Sequence, residues 1–130
     1  MNPSEYWKPV CQLVHQLNCR ARVTATDRGK SWSSIWGTLL IIPQDGFIEP
    51  SDGPVPIRTV DWVEVALERS RGGKFGIPLS FVDVSDEVVT LFRQLTVTWE
   101  LRDTSWSVDG LFDERPVRVI HLPNPFRSDD

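Results

Sequence analysis

Cys11, His15 and Cys19 recur every four positions near the start of the chain, a spacing that stacks side chains on one face of a helix. Two thiols and an imidazole are zinc ligands by type, and His121 is a candidate fourth. Three features argue against a site. At about 100° of rotation per residue, the trio falls opposite the apolar stripe of Val10, Leu13, Val14 and Leu17, and Asn18 reads as the end of the helix before Cys19. Structural zinc also favours closely spaced cysteine knuckles. The expectation is therefore no metal and semi-exposed side chains at these positions.

Hydrolytic chemistry needs a nucleophile, a base and an orienting acid, and His15 and His121 are the imidazoles available. Neither lies in a nucleophile elbow or a metalloprotease helix motif. Glu64 with Glu68, or Asp109 with Asp113, are candidate carboxylate pairs, but as residue types they are ordinary solvated surface. Gly72-Gly73-Lys74-Phe75-Gly76 lacks the Gly-Lys-Ser/Thr ending that would aim backbone donors at a phosphate, and reads as a turn. No cofactor site emerges.

These residues must be positioned by elements whose periods are legible. Val10, Leu13, Val14 and Leu17, preceded by Tyr6 and Trp7, predict a helix from about Glu5 to Asn18, with Ser4 as a cap and Pro9 as a bend or a late start. Ala21, Val23 and Ala25 alternate with Arg20, Arg22, Thr24 and Thr26, the pattern of a half-buried strand, Asp27-Arg28-Gly29-Lys30 follows as a turn, and Trp32 reads as part of a polar turn. Residues 35–42 are apolar on both faces and read as the central strand. The run from Glu49 to Pro56 holds three prolines and predicts a long loop.

Val60 to Leu67 predicts a further strand with Val63, Val65 and Leu67 facing the core, and Trp62, Glu64 and Glu68 facing away. Arg69 to Lys74 is a basic turn. Ser85 caps a second helix whose apolar face is Val88, Leu91, Phe92 and Leu95. Val97, Trp99 and Leu101, then a turn at Arg102-Asp103-Thr104, then Trp106 and Val108, read as a hairpin. A short strand from Val117 to Leu122 and a loose tail from about 123 close the chain. The expected fold is one α+β domain over residues 1–130, with a mainly antiparallel sheet of five to six strands and two helices packed on one face.

Composition restricts the partners. The chain has 130 residues, 18 Asp and Glu against 14 Lys and Arg, and a net charge of −4, which opposes a phosphate backbone and argues against nucleic acid. The longest purely apolar run, Leu39 to Ile42, is far too short to span a membrane, and the first residues lack a signal-peptide pattern. Two cysteines are too few for a secreted disulfide scaffold. A cytoplasmic monomer or weak dimer without disulfides is expected.

The Tyr6-Trp7-Lys8 helix, the tryptophan-rich strands, Val60-Asp61-Trp62-Val63-Glu64 and the closing helix and hairpin, over roughly residues 5 to 112, resemble small bacterial proteins of unknown function, including immunity proteins encoded beside polymorphic toxins. The resemblance implies a non-catalytic protein that binds and blocks a toxin. Acids clustered in loops, Asp45, Glu49 and Asp52 together with Asp109, Asp113 and Glu114, are then the expected contact surface for a basic toxin domain, and Trp62 is the aromatic candidate beside them. The competing expectation is a small enzyme or ligand sensor with a pocket between sheet and helices that uses His121.

Overall fold

The computed structural model describes residues 2–39, 46–72, 74–106 and 115–128. Its centre is a five-stranded antiparallel sheet in the order β2-β1-β5-β9-β8. Those strands are β1 (Ala21–Asp27), β2 (Lys30–Ser33), β5 (Val60–Ala66), β8 (Glu100–Trp106) and β9 (Arg115–Pro123). Two small hairpins accompany it: β3 (Phe47–Ile48) with β4 (Val55–Pro56), and β6 (Glu68–Arg71) with β7 (Ser80–Asp83). Helices α1 (Pro3–Leu17) and α2 (Ser85–Phe92) complete the expected α+β arrangement.

Helix α1 begins earlier than its apolar stripe suggests. Asn2, not Ser4, is the N-cap: its side chain accepts from the Glu5 amide at 2.8 Å and the Glu5 carboxylate reaches back to the Asn2 amide. This reciprocal box satisfies two orphan donors, and Pro3 occupies the first turn, where no donor is needed. Pro9 stays inside the helix. At the other end Asn18 caps in the left-handed region, φ 54°, a conformation asparagine tolerates. The Arg69 guanidinium covers the helix end by donating to the Leu17 carbonyl from Nε at 2.9 Å.

The main core fills the sheet face that both helices cover. Val23, Val63 and Leu122 sit opposite one another across three strands, as do Ala21, Val65 and Ile120. Trp7, Val10, Val14 and Leu17 of α1 and Val88 and Phe92 of α2 pack on them. Period-two alternation makes this face, and the 3.6-residue stripe of each helix meets it. On the opposite face a smaller cluster joins Trp36, Ala66, Val117 and Val119 to Leu79 and Phe81, so the β6–β7 hairpin is clamped against the back of the sheet.

Several expectations need correction. The middle of the sheet belongs to β5, whereas the described part of the expected central strand, 35–39, makes isolated bridges, Ala21 to Gly37 and Leu39 to Pro50. Ile35 is 61% exposed. A β-carbon at Gly37 would lie 2.3 Å from Ser51 Oγ, so the close approach of this segment to Ser51 calls for glycine there. The proline-rich stretch is not all loop, since Val55-Pro56 pairs with Phe47-Ile48. Trp32 lies in edge strand β2 instead of in a turn. No turn forms at 102–104: β8 runs straight through it, paired along its length with β9, while 96–99 is irregular.

The tail is not loose as far as Ser128. Asn124 is buried and its amide donates to the carbonyls of Ile57 and Val60 at 2.7 and 2.8 Å, while its oxygen accepts from Trp7 Nε1 at 3.3 Å. Phe126 meets the Tyr6 ring edge-on at 5.3 Å. Polar and proline-rich composition concealed a segment held by specific hydrogen bonds.

Candidate functional site

The back face of the sheet gathers the charged residues that the strand pattern assigned to solvent. Register places Arg22, Glu64 and His121 side by side on β1, β5 and β9. Glu64 accepts from Arg22 Nη2 at 2.7 Å through one oxygen and meets His121 Nδ1 at 3.0 Å through the other. It is only 6% exposed, and His121 is buried with it. The Arg22 guanidinium stacks over the Trp36 ring at 4.5 Å and contacts Thr104 Oγ1 at 3.5 Å, while its buried Nε has no hydrogen-bond partner among the described residues. Trp62 tilts over the His121 ring at 5.3 Å.

A carboxylate fixing Nδ1 of a histidine is half of an acid–base device. The other half, a nucleophile, is not supplied by the cysteines. Both are in the main core on the far side of the sheet, so the expectation of semi-exposed thiols is corrected. Cys11 neighbours Trp7 and Val14 on the buried stripe, one turn before and one turn after it, and His15 alone of the trio is exposed. Burial pushes the Cys11 thiol up to about 12. Cys19 is raised to about 11 by burial, with Arg69 pulling it down and Glu87 pushing it up. Such thiols stay protonated and unreactive near neutrality. Among the described residues no group of three metal-ligating side chains converges.

His121 does not line the clefts at the β1–β2 turn, beside α2 or beside His15. Glu49 borders one of about 370 Å³ with His15, Thr38, Leu39 and Ser51. Asp52 is engaged within the fold, accepting from the Ile35 amide at 3.2 Å, as Ser51 Oγ does from the Thr38 amide. Trp62 is half-buried, with the His121 ring as its neighbour. Asp45, Asp109, Asp113 and Glu114 lie outside the described residues. Of the acids expected to form a contact surface, Glu49 and Asp52 are thus the described ones, the first beside a cleft and the second bonded within the fold.

A different surface feature escaped the strand pattern. The tip of the β6–β7 hairpin presents Phe75 at 97% exposure and Ile77 at 60%. The turn Lys74-Phe75-Gly76-Ile77 closes with the Ile77 amide on the Lys74 carbonyl at 3.0 Å. Phe75 and Gly76 both have positive φ, 55° and 76°, the geometry of a type I′ turn. Asn, Asp or Gly ordinarily take the first central position, and a bulky side chain there costs on the order of 1 kcal/mol. Glycine is required at 72, where φ is 73° and a β-carbon would meet the Pro78 carbonyl oxygen at 2.2 Å. The signal in the sequence was Phe between Lys and Gly in a glycine-rich turn, a place where an aromatic has nothing to pack on.

No protein-family model, curated protein or solved structure matches the chain.

Proposed function

We propose that this chain is a non-catalytic binding protein of the immunity type, which neutralises a cognate toxin in the cytoplasm by seating the β6–β7 fingertip in it. The observation that carries this is the strained, almost fully exposed Phe75 at the end of a hairpin whose base is packed on the sheet. Backbone strain and exposed apolar surface concentrate at working sites, and an aromatic on a rigid support is the usual anchor of an interface. Ile77 extends the apolar patch, and Arg71 and Lys74 flank it. The complementary surface is an apolar socket edged by carboxylate.

The net charge of −4 favours a partner that is basic as a whole, with Glu49, Asp52 and the acids at 45, 109, 113 and 114 adding to the steering. Encounter rests on that long-range field and residence on the fingertip. The chain acts as a monomer in this reading.

The test is co-expression with the product of the adjacent gene in a host that the product kills. Protection by the wild type, lost in a Phe75→Asn/Ile77→Ser variant of unchanged or higher melting temperature, supports the proposal. Failure of the wild type to protect removes the immunity reading. Equal protection by the variant removes the fingertip from the interface.

A further inference from the structure

Strands β2 and β8 form the two edges of the main sheet. β2 is four residues long, whereas β8 runs for seven, pairs with β9 without a shift of register and contains no proline. Among the described residues no strand takes its outer side. The unpaired amides and carbonyls of such an edge are a template for another strand, and proteins blunt them by shortening, bulges, proline or charge. Charge is the device present on β8, so the order of its charges decides which strand it admits.

That order is Glu100-Leu101-Arg102. Glu100 and Arg102 stand on the back face, beside His121 and Val119 of β9. Arg102 Nε donates to Glu100 Oε1 at 2.7 Å, and both side chains are about half exposed. Leu101 stands on the helix face, beside Ile120. Ile120 is fully buried in the core that Val88 and Phe92 of α2 share. Leu101, one strand further out, is left 48% exposed and lines a cleft of about 310 Å³ with Val89 and Thr90 of α2.

We propose that β8 pairs antiparallel with β8 of a second copy of this chain, about a two-fold axis at Leu101. An axis normal to the sheet keeps both helix faces on one side, so residues of one face meet residues of the same face. With the axis at Leu101, Glu100 lies opposite the partner's Arg102, Arg102 lies opposite the partner's Glu100, and Leu101 meets its own copy. Each strand keeps its existing ion pair, and the two pairs join into a ring of four charges in which every neighbour is opposite in sign. The adjacent registers lack this match. An axis at Arg102 sets guanidinium against guanidinium and one at Asp103 sets carboxylate against carboxylate, and like charges directly opposite are destabilising. The two Leu101 side chains, about 5 Å apart, cover each other at the mouths of the two clefts.

The same patch serves both chains, so association closes at two. The contact spans about five residues a side, from Trp99 to Asp103, against about 20–30 in a stable interface; the dimer is therefore weak and forms at high concentration. It shares no residue with the fingertip. Each chain remains a complete toxin-binding unit, so dimerisation and toxin neutralisation stand or fall separately.

The experiment is sedimentation velocity of the full chain from about 10 μM to about 1 mM, the range in which a weak contact titrates. The wild type is expected to move from monomer towards dimer and no further. Arg102→Glu sets carboxylate opposite carboxylate and Glu100→Arg sets guanidinium opposite guanidinium, so each variant alone should dimerise about tenfold or more weakly. An equimolar mixture of the two variants restores every opposite-charge pair and should recover the association of the wild type. Equal melting temperatures of all three proteins in dilute solution separate loss of pairing from loss of fold. Dilution of the wild type should also shift backbone amides at residues 99–103. A wild type that stays monomeric throughout overturns the proposal, as do single variants that associate like the wild type, a mixture that stays monomeric, or dilution shifts centred elsewhere.

Discussion

Glu64 has little access to water and bonds to Arg22 on one side and His121 on the other. Removing it leaves two polar partners facing each other on a partly dry sheet face, and deleting one member of a buried pair costs about 3 kcal/mol. Glu64→Ala is therefore expected to lower the urea midpoint at least as much as Val65→Ala, a core truncation worth about 1–3 kcal/mol; equal hydrogen exchange at His121 in both variants would count against the linkage. This reverses the expectation from strand alternation, in which Glu64 faces away from the core as ordinary solvated surface. The cysteines give a pH dependence of definite sign. Cys11 is raised from an ordinary 9.0 to about 12, so the unfolded thiol ionises first. The contribution of its burial is complete below about pH 9 and is lost as pH rises towards 12. Thiol alkylation at pH 8 should proceed only as fast as the chain opens.

At the scale of elements, two turns and one helix carry residues that their backbones disfavour. Phe75→Asn restores an ordinary type I′ residue and should raise stability by about 1 kcal/mol, read as a higher thermal midpoint, while harming partner binding. Pro9 lies exposed within α1, and its ring and missing donor cost about 3 kcal/mol relative to alanine in a helix interior. Pro9→Ala should thus stabilise the fold, and an unchanged or lower melting temperature would show that α1 depends on a bend there. Helix α2 has no side-chain cap at Val84. Asp83 instead accepts from the Ser85 hydroxyl and amide, and these bonds, the side-chain one first, hold its carboxyl below the ordinary 3.8. A depressed carboxyl contributes above its unfolded value and loses that contribution as pH falls through the folded one, so protection of the α2 amides should decline in acid before that of the sheet.

At the scale of the molecule, the C-terminal segment is the closing tie. Asn124 joins the Trp7 indole to the backbone of Ile57 and Val60, and Arg127 links Asp61, Arg58 and Thr26. Asn124→Ala strands buried donors and acceptors and should cost about 2 kcal/mol. A chain ending at Pro123 should lose at least as much, and retention of full stability by either would show that the tie carries no load. Among the described residues no helix is long and apolar enough to cross a membrane.

The periodicities of α1, β1 and β5 were legible in the sequence, because the apolar residues of each meet a single core face and their spacing is set by backbone geometry alone. So was the α+β class. The order of the strands was not, because β5 carries Glu64 on its back face and reads as half-exposed until Arg22 and His121, 42 and 57 residues away in sequence, arrive to bond with it. Residues 35–39 look more central by composition, yet they make only isolated bridges, to Ala21 and to Pro50, pairings that are decided between segments. Residue types named Phe75 and Arg28 as ordinary turn residues. Their left-handed backbones and the packed base beneath the first are tertiary facts, since exposure depends on what the rest of the chain covers.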